Sequence, residues 1–444
     1  MFTLAGCASH VAKEPAAPPP RAVAPRANHN AAAKPPVDSA RPDATRAEAL
    51  VNDALAKTSR IRELDARGPV HGVSLSRIEM AAHVRASIEH EVPASVVEAE
   101  GEVLIALGVA PPTFDYMAAI VSLMSAELAG YYEPSNKSMY LASDLGNAES
   151  EATLAHELVH ALQDQHYDLG KLLEYRPDES DAQAALHALA EGDATSAMLD
   201  SLLLPQGKIA TDLSEDLLGL QVRAAAQFST SSGPIPEILK RSLIAPYVDG
   251  IQFVHWLRRH GGWAMVDRAW QSPPASTEQL LHPEKYIARE PPLAVAAPVP
   301  LDGTMGQPVY TDVLGEESFR LLFEEWMPRH SALEAAEGWG GDRGAVFREG
   351  NRVAVAWRLR CDDRDAATRA MKALLRGIAA QRGDTPSPEG LECAERATVG
   401  PLLVSQRGRD IAIVAGPYER RASGPVSAGS CAIAHAWAAR ILGS

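Results

Sequence analysis

The sequence predicts an α+β protein whose first part is mainly helical and whose C-terminal part is a smaller mixed domain. Three observations predict it. Apolar residues recur at helical spacing through most of residues 44–290. Strict alternation marks RVAVAWRLRC, Arg352–Cys361, as a strand. A Pro-rich stretch from Glu290 to Pro300 separates the two and reads as a linker. The expected organisation is a leader over 1–43, a helical domain over 44–290 with one small hairpin, a linker over 291–302 and an α+β accessory domain over 303–444.

The leader comes first. Leu4-Ala5-Gly6-Cys7 resembles a bacterial lipobox, in which the cysteine is lipidated. The following VAKEPAAPPPRAVAPRANHNAAAKPP is rich in Ala and Pro and cannot build a core. A tether between a membrane and a folded domain has that character. The usual basic start and apolar core do not precede the motif. An exported, lipid-anchored envelope or periplasmic protein and a plain disordered leader therefore both fit.

From Asp43 the positions Leu50, Ala54, Leu55, Ile61 and Leu64 predict a helix that Gly68-Pro69 ends. Helices follow over Ser76–His90, over Ala94–Leu107 with Gly108 and Pro111-Pro112 as its stop, and over Asp115–Leu128. GYYEPSNKSMYL, Gly130–Leu141, sets turn residues Glu133–Lys137 between two short extended runs and predicts a hairpin. Two longer helices are expected over Ser150–His166, closed by Gly170, and from Asp178–Asp181 to Leu203, stopped by Pro205. Leu213–Phe228 and Tyr247–His260 fit further helices, the latter capped by Gly261-Gly262.

Beyond the linker, GWGGDR (Gly338–Arg343) lacks the GK[ST] of a phosphate loop and reads as a Gly-rich turn before a strand over Gly344–Arg348. Arg364–Ala379 reads as a helix, LLVSQ and DIAIVAG as strands about an Arg-Gly turn, and Cys431–Leu442 as a terminal helix. Cys361, Cys393 and Cys431 form no CxxC pair, so a cysteine zinc site is disfavoured. One disulfide and one spare thiol would suit an oxidising compartment, with the pairing open.

Composition narrows the function. A net charge of −15 argues against nucleic acid and anionic membrane surfaces as partners, since both attract basic patches. No apolar run is long enough to span a bilayer.

The informative stretch is TLAHELVHALQDQHYDL, Thr153–Leu169. It contains HExxH: His156, Glu157, Leu158, Val159, His160. On a helix, positions i and i+4 share a face, so both imidazoles can reach one zinc ion. Glu157 beside them can take a proton from the attacking water and return it to the leaving amine. The alternative is a solvated amphipathic helix.

An open catalytic site needs a third protein ligand. The next helix offers Glu191 in HALAEGDATSA, among small residues (Ala188, Ala190, Gly192, Ala194) that allow close approach of the first helix. An exposed helix carboxylate is the other reading. His166 sits off the ligand face, and His187 could support the site or be an ordinary surface histidine. The ALQDQH that follows HExxH departs from the metzincin pattern. Asp164, one turn after His160, could hydrogen-bond a ligand imidazole. The strand around Ser138–Leu141 could act as the edge that pairs with an extended substrate, or be a plain core hairpin. His282 in EQLLHPEKY and Tyr247 in APYVDG are candidate donors to a developing oxyanion; each also reads as structural.

HELVHALQDQHYDL with the downstream ALAEGDA resembles gluzincin-type metallopeptidases, in particular a group of bacterial envelope proteins. AGYYEPSNKSMYL, PPASTEQLLHPEKY (Pro273–Tyr286) and GWGGDR extend the likeness over roughly residues 108–345. It implies a zinc-dependent hydrolase with His156, His160 and Glu191 as ligands and Glu157 as base, and no particular substrate. The first expectation is a zinc metallopeptidase that acts on a peptide or protein. Two competing readings remain. One is a catalytically silent zincin-like envelope lipoprotein acting as a binding or scaffold module, and the other a zinc hydrolase of a non-peptide bond.

Overall fold

The computed structural model describes residues 40–127, 129–144, 147–214, 218–219, 235–301, 305–382 and 392–443. The fold is α+β, with a helical N-terminal region and a sheet-rich C-terminal region. The lipobox-like motif, including Cys7, and most of the helix expected over Leu213–Phe228 lie outside the described residues.

The helical region opens with α1 (Ala40–Arg62), then β1 (His71–Leu75), α2 (Arg77–Glu91), α3 (Ala94–Leu107) and α4 (Tyr116–Glu127). Ser76 caps α2 in a capping box with Glu79, and Gly108 ends α3 in the left-handed region. The hairpin forms as β2 (Gly130–Glu133) and β3 (Ser138–Ala142). Its partner β1 was not visible in the sequence. β1 pairs parallel with β3 and β2 antiparallel, so β3 is the central strand of a three-stranded sheet. Ser138–Leu141 is therefore no free edge, and the expected substrate-pairing role of this strand is corrected. The outer strands of this sheet are β1 and β2.

The helices α5 (Asn147–Tyr167), α6 (Leu169–Leu172), α7 (Ser180–Leu203) and α8 (Glu237–Gln271) build the core of this region. α8 starts earlier than expected because it runs through Pro246. It bends at Gly261-Gly262, where the backbone leaves helical geometry, with Gly262 at φ 63°. α7 is buried along almost its whole length. Its tightest neighbour is α8, not α5: a Cβ on Gly192 would lie 2.1 Å from the Gly250 carbonyl oxygen. The small residues of α7 thus serve the α7–α8 crossing first. Short helices α9 (Thr277–Leu281) and α10 (Pro283–Ala288) follow.

The C-terminal region holds β4 (Pro308–Asp312), α11 (Gly315–Phe323), α12 (Arg329–Ala336), β5 (Trp339–Glu349), β6 (Arg352–Cys361), α13 (Arg364–Arg382), β7 (Cys393–Ala394), β8 (Leu402–Arg407), β9 (Asp410–Glu419), β10 (Val426–Ser427) and α14 (Cys431–Gly443). The strands form an antiparallel sheet in the order β4-β5-β6-β9-β8-β7, with β10 on β9. The alternation of β6 is realised. Val353, Val355, Trp357 and Leu359 join the core that includes α13, whereas Ala354 and Ala356 join the core under α14. Cys393 and Cys431 form a disulfide that ties β7 to α14, and Cys361 is a buried free thiol.

GWGGDR is not a turn before a strand, because β5 already begins at Trp339. Its glycines admit the linker, whose Leu293 N–H donates to the Gly340 carbonyl at 2.6 Å. A Cβ on Gly341 would strike the Leu293 backbone. Asp342 accepts from the Trp339 and Trp357 indoles and from the Leu314 and Gly315 amides. The linker continues against α14, where the Val299 carbonyl accepts from the Trp437 indole. The largest apolar core crosses it, joining α2–α4 to β5, β6, β9 and α13. No helix among the described residues is long and apolar enough to cross a membrane.

Candidate metal centre

The HExxH segment lies on α5 and Glu191 on α7, and the packing of these helices converges their side chains. His156 Nε2 is 3.0 Å from Glu191 Oε2, His160 Nε2 is 3.6 Å from the same oxygen, and the two Nε2 atoms are 3.2 Å apart. His156 is 1% exposed and Glu157, His160 and Glu191 are 0% exposed. The exposed-carboxylate reading of Glu191 thus fails.

Two ligand atoms about 2.0–2.1 Å from a four-coordinate zinc lie roughly 3.3 Å from each other. The three separations bracket that value, so the residues fit zinc. Their electrostatics agree. Burial holds His156 below its ordinary pKa and keeps the imidazole neutral. Burial works against an ionised Glu191, but His160 and His156 outweigh it and hold the carboxyl well below the usual range. A neutral imidazole at His156 and a carboxylate at Glu191 are states in which a metal is bound.

Supporting groups differ from those expected. Asp164 does not reach a ligand imidazole: it accepts from the Tyr132 hydroxyl at 3.0 Å and the Gly170 amide at 3.1 Å. Gln163 does that work instead, with Oε1 2.8 Å from His160 Nδ1. His187 Nε2 lies 3.1 Å from Glu191 Oε1, holding the second carboxylate oxygen. His166 faces elsewhere, against the Asp65 carbonyl.

Glu157 accepts the Tyr132 backbone N–H at 2.9 Å, which sets strand β2 beside it. Tyr247 is half-buried and its ring stacks over His156 at 5.8 Å. His282 is engaged elsewhere: its Nε2 lies 2.9 Å from Glu316 Oε1. A second acidic group, Glu278, Glu290 and Asp362, also converges. Lys285 Nζ occupies its centre at 2.6, 3.1 and 2.9 Å, so it is an ion-pair network.

A family model described as a domain of unknown function, DUF8575, matches residues 304–424. That match covers most of the C-terminal sheet and none of the metal-centre residues. No curated protein and no solved structure matches the chain.

Proposed function

We propose that the chain is a zinc-dependent peptidase in which His156, His160 and Glu191 hold the metal and Glu157 is the general base. The reading rests on one observation: three buried ligand atoms of the right types meet at 3.0–3.6 Å. Zinc, when bound, supplies Lewis acidity toward a carbonyl oxygen and makes water more acidic. Glu157 takes the proton of the attacking water and passes it to the leaving amine. The Tyr132 amide orients that carboxylate. Tyr247, lying over His156, is the candidate donor to the oxyanion. The Cys393–Cys431 disulfide supports an exported protein, in keeping with the lipobox-like leader.

Complete burial of the four groups favours a second reading, a closed structural zinc site in a scaffold protein. One experiment separates them. Glu157→Gln should keep stoichiometric zinc and lose hydrolysis of a broad peptide library by on the order of 10²–10⁴-fold. Zinc-loaded wild-type protein that cleaves nothing would favour the scaffold; turnover retained by the variant would remove Glu157 as the base.

A further inference from the structure

We infer that Gln163 is a positioning residue for His160, and that Asp193 and Arg62 hold it in the one orientation that turns the His160 Nε2 lone pair toward the metal centre. The inference rests on the metal reading above.

Donors and acceptors fix the orientation of this amide. Gln163 is fully buried, and its Nε2 lies 3.1 Å from the Ala190 carbonyl oxygen and 3.2 Å from Asp193 Oδ2. A carbonyl only accepts, and so does a carboxylate. Turning the amide over would set its oxygen against both, so the NH2 end must face them. The other end, Oε1, then faces His160 Nδ1 at 2.8 Å and can only accept. His160 Nδ1 therefore carries a ring proton, and whenever the ring is neutral its lone pair stands on Nε2. That is the atom that meets His156 and Glu191.

Asp193 is itself held on both sides. Its Oδ1 accepts from Arg62 Nε at 2.5 Å and its Oδ2 from the Trp270 indole at 2.8 Å. With every oxygen facing an N–H, it presents a pure acceptor to Gln163. Arg62 is fully buried, donates through Nη2 to Asp267 Oδ1 at 2.7 Å, and lies 4.4 Å from the Trp263 ring centroid. The chain of contacts thus runs from a residue of α1, 131 positions before Asp193, to a candidate ligand. Its purpose is to fix which nitrogen of His160 can bind.

The test uses the full chain and zinc alone. In zinc-free wild-type protein, nitrogen-15 imidazole spectra should show His160 protonated on Nδ1; a neutral ring protonated on Nε2 with Nδ1 bare overturns the inference without any variant. Gln163→Leu keeps the volume and removes the acceptor, and Asp193→Asn frees the amide to turn. Both should weaken zinc binding about 10–100-fold in chelator competition. Both should also populate the other tautomer. Wild-type affinity together with an unchanged tautomer in both variants overturns the inference. A wild-type chain that binds no zinc removes the metal reading instead, and the tautomer spectrum still reports on Gln163.

Discussion

His282 shows what a single side chain contributes once its partner is known. Burial works against its charged form, but the Glu316 carboxylate outweighs burial and holds its pKa above the ordinary histidine value. A raised folded-state pKa gives stability that is complete below the unfolded value and is lost as pH rises through the folded one. His282→Ala should therefore unfold more easily than wild type at pH 5.5, by about 1 kcal/mol for a partly exposed charged hydrogen bond. The gap should narrow as pH rises through the folded-state pKa in urea titrations, and a constant gap would remove the ion pair as its source. Residues of this kind sort by how local their signal is. His156, His160 and Glu157 were legible because helix geometry alone puts them on one side. Gln163, three positions after His160 on the same helix, carried a spacing signal that Asp164 obscured. Arg62 and Tyr132 carried none, because their partners are remote in sequence.

Helices and strands obey the same division. α2, α3, α5 and α7 appear close to where caps, Gly and Pro set them, because those signals act within a few residues. β1 was missed because a parallel pairing with β3 has no local signature. The crossing of α7 on α8 was half legible: the small residues were evident, but not which helix they served. It makes a prediction. Gly192→Ala gains helix propensity of roughly 1 kcal/mol, but its methyl meets backbone that cannot swing away. The clash wins, and the variant should lose about 1–3 kcal/mol in urea unfolding, with weaker zinc binding because α7 carries Glu191. Gly68→Ala, with nothing within 4 Å of its new methyl, should lose far less and serves as the control.

Across the whole molecule, the Pro-rich stretch stood out in composition, but its contacts did not. Composition marks where chain leaves one half for the other; it says nothing of what surface waits there. Because the main core runs from Met80 to Tyr418, the fragment 44–290 should lack part of its own interior. Expressed alone, it should show no cooperative urea transition and weak near-ultraviolet dichroism. A sharp two-state transition would show that the helical half is self-sufficient. Cutting the Cys393–Cys431 bond by Cys393→Ser should cost about 2–4 kcal/mol for the segment it closes, measured against wild type under the same conditions. The stitch of Leu293 onto Gly340 has a mechanical corollary. A linker bonded to the sheet beneath it is less free to act as a hinge than one surrounded by water. Any breathing that opens the buried His156–His160–Glu191 cluster then arises among the helices that enclose it.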